Sequence, residues 1–233
     1  MKLYVDTADV DEARRAAELG FVDGITTNPS LVARQRRELE PLIRELGRIV
    51  PGDVWCQVHS THAAGMVSEA QEMHRWAPNV VVKLPMSLAG LQAAAGLAGT
   101  DVRTNMTLVY SVPQALLAAK AGVAWVSPYV GRMDDSGIAG AEVIGEMAQT
   151  LASQAPGTQV LVASVRGPRH VADLARRGVG GFTMPLDVLL ALVSHPMTDI
   201  GLAQFLADAE QARQDGSGGA PLGVTSSSKG RSE

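Results

Sequence analysis

A chain of 233 residues with 46% hydrophobic and 19% charged residues has the composition of one globular domain with a substantial core, which excludes a wholly disordered chain. A net charge of −4, with arginines set among acids as in Arg34, Arg36, Arg37 and Glu38, supplies no positive field for a phosphate backbone and excludes general nucleic-acid binding. Cys56 is the one cysteine and forms no internal disulfide, acids interrupt the first twenty residues at Asp6, Asp9, Asp11 and Glu12, and the longest apolar run (188–193) falls far short of the ~18 residues of a membrane span, so a cytoplasmic protein without membrane contact is expected.

Short β-branched apolar runs alternate with longer Ala-, Leu-, Glu- and Arg-rich stretches of helical period, beginning at the first residues. Strands are predicted at 2–6, 22–26, 54–59, 80–84, 102–107, 125–128, 159–164 and 180–184. Helices are predicted at 10–19, 30–50, 63–76, 88–99, 112–121, 137–154, 169–177 and 186–194, one after each strand. Gly20, Gly122 and Gly178 stand where a left-handed residue stops a helix, and Pro113 and Pro168 suit first turns. Eight βα units in about 200 residues meet the lower size of an α/β protein of the (β/α)8 TIM barrel type, whereas an open doubly wound sheet more often stops at five or six strands. An amphipathic segment at 199–213 adds a C-terminal helix, so the catalytic domain is expected over 1–214. The Gly/Ser-rich residues 215–233 are expected to form a disordered tail.

In such a barrel the active site lies at the C-terminal ends of the strands. Those ends are polar here: Asp6 on the first strand, Thr26, Thr27 and Asn28 on the second, Gln57 and His59 on the third, Lys83 on the fourth. Asn105 and Thr107 follow on the fifth, Tyr129 and Arg132 on the sixth, Ser164 and Arg166 on the seventh, and Thr183 on the eighth. Lys83 interrupts the apolar run Val80, Val81, Val82, Leu84 in a strand that should be buried on both faces. The chain has four lysines against sixteen arginines, so the general cationic role has gone to arginine and lysine at 83 has a reason. A lysine amine desolvated in a barrel falls from ~10.4 toward ~7–8, and the neutral amine attacks carbonyls to form a Schiff base, which arginine cannot do.

A second reading has Lys83 paired with a carboxylate such as Asp6 and inert. Asp6 itself has two roles open to it, proton transfer or capping the helix after the first strand. The run Asn28-Pro29-Ser30 also suits a plain helix start with Ser30 as its cap, and a buried Gln57, in phase with Trp55, commonly satisfies nearby backbone groups. Ser164, Arg166, Gly167 and Pro168 open a helix after the seventh strand, where free N–H groups favour an anion, and Arg132 reaches the same place; together they suggest a phosphorylated small molecule. Cys56, His59 and His62 have a zinc-like spacing, but strand alternation sends Cys56 and His59 to opposite faces, so no metal site is expected. Gly178, Gly180 and Gly181 precede a strand, where a dinucleotide-binding turn follows one.

The motifs LYVDTADV (3–10), GITTNPSLV (24–32), VVKLPMS (81–87), TNMTLVYS (104–111), WVSPYVGRMDD (125–135), LVASVRGPR (161–169) and FTMPLDV (182–188) occur in the order seen in the transaldolase family. The chain resembles its short subfamily, which includes fructose-6-phosphate aldolase. The resemblance implies a (β/α)8 barrel with Lys83 as the Schiff-base lysine and Asp6 as its proton-transfer partner. It further implies Asn28 and Thr107 as ligands to substrate hydroxyls or the catalytic water, with Thr26 beside them, and Arg132, Ser164 and Arg166 as ligands of a sugar phosphate. Gln57 and Tyr129 stand where transaldolases usually carry Glu and Phe, which implies an aldolase cleaving fructose 6-phosphate to dihydroxyacetone and glyceraldehyde 3-phosphate. The motifs TNMTLVYS and SPYVGRMDD look more like short transaldolases, which pass the dihydroxyacetone unit to erythrose 4-phosphate. Neither route requires a metal or an organic cofactor. By the same resemblance the chain is expected to be a homo-oligomer, a pentamer or decamer, with the C-terminal helix packing on a neighbour.

Overall fold

The computed structural model describes residues 1–215 of the chain. Eight strands form: β1 (Lys2–Asp6), β2 (Gly24–Thr26), β3 (Asp53–Gln57), β4 (Val80–Pro85), β5 (Thr104–Val109), β6 (Trp125–Pro128), β7 (Gln159–Val162) and β8 (Gly181–Met184). They close in sequence order into an all-parallel barrel, β8 returning to pair with β1. The helices are α1 (Val10–Glu18), α2 (Pro29–Gln35), α3 (Leu39–Ile49), α4 (Ala63–Trp76), α5 (Leu88–Leu97), α6 (Val112–Lys120), α7 (Val130–Asp135), α8 (Gly140–Gln154), α9 (Pro168–Arg176), α10 (Leu186–Ala191) and α11 (Pro196–Gln214). The fold is the expected (β/α)8 barrel. Met1–Leu192 make one compact unit, and the described part of a second unit, which starts at Val193, is essentially α11. Apart from Asp215, the expected tail lies outside the described residues.

Strand alternation sorts the side chains into two cores. Val5, Ile25, Cys56, Val82, Met106 and Val126 share one core with helix residues such as Leu42, Ala70 and Ile144. The alternate positions Tyr4, Trp55, Val81 and Leu161, with Trp125 against them, make a separate cluster inside the barrel. Its rings stack edge to face, Trp55 lying 5.4 Å from Tyr4 and 5.6 Å from Trp125. Two residues further along the same strands come Asp6, Gln57, Lys83 and Ser127, so the aromatic plug is the floor on which a polar layer stands.

Gly20, Gly122 and Gly178 adopt the expected left-handed conformation, with φ of 74°, 89° and 86°. The predicted helix 30–50 is instead two helices, because Arg36 takes φ 52° and its N–H turns back to Ala33. A left-handed arginine costs roughly 1–2 kcal/mol, and Pro41, in the first turn of α3, has no N–H with which to continue a helix from α2. The cap of α2 is Asn28, not Ser30: its Oδ1 accepts the Leu31 N–H at 3.0 Å. The predicted helix 137–154 starts at Gly140 and is preceded by the additional α7, and the predicted strand 54–59 stops at Gln57, where the Glu69 carboxylate accepts the His59 and Ser60 N–H groups.

The seam between β2 and β3 requires glycine at one point. Gly24 has φ 149°, and a Cβ there would lie 2.1 Å from the Asp53 carbonyl oxygen, so neither the backbone angle nor the space admits a side chain. Gly24→Ala is expected to cost about 3 kcal/mol, read by thermal denaturation as a Tm lower by about 10 °C. An unchanged Tm would show that the seam yields to the methyl group.

Candidate active site

Lys83 is 4% exposed in the middle of β4, and its Nζ donates to the Thr27 carbonyl at 2.7 Å. Among the described residues no ion pair joins it to Asp6 or to any other carboxylate, contrary to the inert paired lysine that the sequence left open. The Thr27 carbonyl orients the amine toward the barrel mouth without a salt bridge. Strand register sets Gln57 and Asn105 on either side of Lys83. The Gln57 side chain bonds no described residue, so it does not serve the backbone as a buried glutamine commonly does.

Asp6 is not a helix cap, since Asp9 caps α1 by accepting the N–H groups of Asp11 and Glu12. Its Oδ1 accepts the Thr26 hydroxyl at 2.7 Å, and Thr26 Oγ1 lies 2.7 Å from Thr183 Oγ1. Burial raises Asp6 above the ordinary carboxylate range, opposed by the Lys83 charge, the Thr26 hydroxyl and the Arg132 charge. Asp6 therefore lies in the fields of both the buried lysine and a rim arginine, a carboxylate whose proton is held more readily than usual. Asn28 spends its Oδ1 on capping α2, which leaves its amide N–H groups as donors.

Thr107 and Tyr129 meet at 3.1 Å between Oγ1 and the phenol oxygen, and the Arg132 guanidinium lies 4.6 Å from the Tyr129 ring centroid. The ladder shifts register between Thr107 and Val109, where Leu108 takes φ 63°. Ser164, beyond β7, takes φ 59°. Among the described residues these and Arg36 are the non-glycine positions of positive φ; Leu108 follows the expected site residue Thr107 and Ser164 is itself one, and strain of this kind gathers where function fixes the backbone. Arg166 and Arg132 are exposed at the rim, and the Arg166 guanidinium makes two bonds to the Asp135 carboxylate, at 2.5 and 2.6 Å.

Two polar residues that sequence reading left without a role complete the layer. Asn105 is 0% exposed; its Oδ1 accepts the Ser127 hydroxyl at 2.9 Å, while its Nδ2 has no partner among the described residues. A buried amide donor beside Lys83 without an acceptor suits a substrate oxygen. Ser127 was legible, standing two residues after the inward Trp125, but a serine between Val126 and Pro128 draws no notice. His59 is exposed past the end of β3, and burial pushes the Cys56 thiol up to about 12, away from the reactive thiolate. No group of three or more His, Cys, Asp or Glu among the described residues is arranged to hold a metal. None of the described helices is long and apolar enough to cross a membrane.

The family described as Transaldolase/Fructose-6-phosphate aldolase matches residues 3–217. A probable transaldolase of Desulfotalea psychrophila is 47% identical over 214 residues, covering 92% of this chain and all of that protein. A second, of Desulforudis audaxviator, is 48% identical over 208 residues, covering 89% and 97%, and a third, of Methanococcus maripaludis, is 47% identical over 210 residues, covering 90% and 98%. Among solved structures, a thiamine phosphate pyrophosphorylase from Pyrococcus furiosus superposes with a TM-score of 0.58 at 19% identity, covering 82% of this chain and 91% of that one, which speaks for the barrel alone. A buried lysine in a polar barrel mouth and an end-to-end likeness to these relatives lead to one conclusion: the chain belongs to the transaldolase/fructose-6-phosphate aldolase family.

Proposed function

We propose that this chain is a Schiff-base aldolase of sugar phosphates that cleaves fructose 6-phosphate reversibly to dihydroxyacetone and glyceraldehyde 3-phosphate. The observation that carries the reading is Lys83, a buried amine bonded to a carbonyl oxygen and flanked by Gln57 and Asn105. The neutral amine attacks the ketone carbon, and loss of water from the carbinolamine gives an iminium ion. That cation accepts the electron pair of the C3–C4 bond as the C4 hydroxyl loses its proton, releasing glyceraldehyde 3-phosphate and leaving an enamine on Lys83. Protonation at C3 and attack of water at the iminium carbon then free dihydroxyacetone and the amine. Asp6 and a water held by Gln57, Thr107 and Tyr129 move the protons. Asn28 and Thr26 address substrate hydroxyls, while Arg132, Ser164 and Arg166 hold the phosphate.

The Tyr129 hydroxyl, bonded to Thr107, supports hydrolysis of the three-carbon unit over its transfer, since a phenol orients water where a phenyl ring cannot. The names of the relatives favour the second reading, transaldolase, in which the enamine attacks erythrose 4-phosphate. Release of glyceraldehyde 3-phosphate from fructose 6-phosphate, with and without erythrose 4-phosphate, separates the two. Sustained release without the acceptor is expected, and release only in its presence would establish the transaldolase. Tyr129→Phe should cut acceptor-independent release about tenfold or more while transfer survives. A variant whose balance between cleavage and transfer does not move would remove Tyr129 as the determinant.

A homo-oligomer is part of this proposal. On α11, Met197, Ile200, Phe205 and Leu206 are exposed, the last two at 71% and 72%, more apolar surface than a solitary helix carries in water. A solution mass of one chain by light scattering would overturn it.

A further inference from the structure

We infer that Asp135, supported by its neighbour Asp134, is a positioning residue that aims Arg166 at the substrate phosphate, an inference that rests on the sugar-phosphate reading above. Ser164 and Arg166 lie on the connection from β7 to α9, in a backbone that includes a left-handed serine and needs outside support. The start of α7 supplies part of it, Val130 N–H donating to the Ala163 carbonyl and Gly131 N–H to the Ser164 carbonyl, both at 3.1 Å.

The end of α7 supplies the rest through its two acids. Asp135 receives both terminal nitrogens of Arg166 in a two-pronged pair. The Arg166 backbone N–H donates to His170 Nδ1 at 3.2 Å, so the ring proton sits on Nε2, which faces Asp134 Oδ2 at 3.1 Å. The other oxygen of Asp134 accepts the Gly140 N–H at 3.2 Å, which fixes that carboxylate to the start of α8. One acid thus holds the side chain of Arg166, and the other, through His170, its backbone.

The direction of the arginine decides between support and competition. A guanidinium has five N–H donors, and Asp135 occupies the two-nitrogen end. The Nε edge lies over the Gly131 α-carbon: a Cβ there would come 2.5 Å from Arg166 Nε and 2.9 Å from Ser164 Oγ. The edge left unspent is therefore the one beside Ser164, where the phosphate is proposed to bind. Both partners are about half exposed, at 52% and 57%, so the pair adds little to stability and its effect is on orientation. An arginine already held in place gives up less rotamer freedom when the anion arrives.

The test is calorimetric titration of the full chain with glucitol 6-phosphate, which carries the phosphate but no carbonyl. Asp135→Asn should weaken binding about tenfold, whereas in an Arg166→Met background the same substitution should change nothing, because Asp135 acts through Arg166. In turnover the loss should appear in KM, with kcat kept within about twofold, and borohydride trapping of dihydroxyacetone on Lys83 should be unaltered. Binding that is unchanged or tighter in Asp135→Asn, which would mean that the carboxylate competes with phosphate, overturns the inference. So does an effect that persists without Arg166, or a loss of trapping that parallels the loss of binding. A parent chain that does not bind the probe overturns the phosphate arm itself. Trapping reads Lys83 and titration reads Arg166, so a parent that binds but traps nothing defeats the Schiff-base reading and leaves the inference supported by its binding result.

Discussion

Lys83→Met is expected to abolish the adduct that borohydride traps with dihydroxyacetone or fructose 6-phosphate, and to lower turnover by a factor on the order of 10⁴ or more. Methionine keeps the unbranched shape out to the ε-carbon, with sulfur in place of the δ-methylene, and lacks the amine, so the hole left in the barrel is one atom deep. The Thr27 carbonyl loses its 2.7 Å donor, while the cost of burying a polar amine is removed; these effects oppose one another within about 1–2 kcal/mol. The variant should therefore fold and melt near the parent, which separates loss of chemistry from loss of structure. A variant that still traps substrate would move the nucleophile to another lysine, and the other described ones are poorly placed. Lys2 begins β1, at the opposite end of the barrel from the polar layer, and is paired with Asp23 at 2.6 Å; Lys120 closes α6 on the outer wall.

Most of the barrel was legible because it rests on short-range rules. Strand periodicity located all eight strands to within a few residues, and glycines with φ above 70° stand at the predicted helix ends. What failed was long-range or non-glycine. Arg36 turns left-handed although arginine has no preference for it, and the one local sign of two helices, Pro41 in the first turn of α3, was outweighed by a pattern of apolar positions that runs through the break. The strand ends overran at His59 because an apolar residue follows Gln57, yet the carboxylate that terminates the ladder there, Glu69, comes from α4.

The site divides along the same line. Lys83 was conspicuous as a charge in an apolar run, and Asp6, Thr26 and Thr107 as polar residues at the C-terminal ends of barrel strands. The pairing of Thr107 with Tyr129, the bond from Ser127 to Asn105 and the two-pronged hold of Asp135 on Arg166 join residues more than twenty positions apart, and no local signal reports them. Asn28 shows why one residue can satisfy two readings: its oxygen caps a helix while its amide nitrogen remains free to donate.

Asp6→Asn should lower kcat/KM by a factor on the order of 10² to 10³, the usual worth of a positioned proton carrier. Asparagine keeps the oxygen that accepts the Thr26 hydroxyl, so the loss reads the missing proton chemistry. Burial raises Asp6, so in the native chain its carboxylate ionises at higher pH than it would unfolded. If the ionised form takes up the protons released in carbinolamine formation, the acid limb of kcat/KM lies above the ordinary carboxylate range and is absent from the variant. Stability carries the opposite sign. Between the unfolded and the raised native value the native state binds the extra proton, so stability falls as pH rises through that window, and the deficit persists above it. Asp6→Asn removes the deficit, and its Tm at neutral pH should equal or exceed that of the parent while activity drops. An acid limb that survives in Asp6→Asn would assign that ionisation elsewhere, and a lower Tm would show that Asp6 contributes to folding more than its burial takes away.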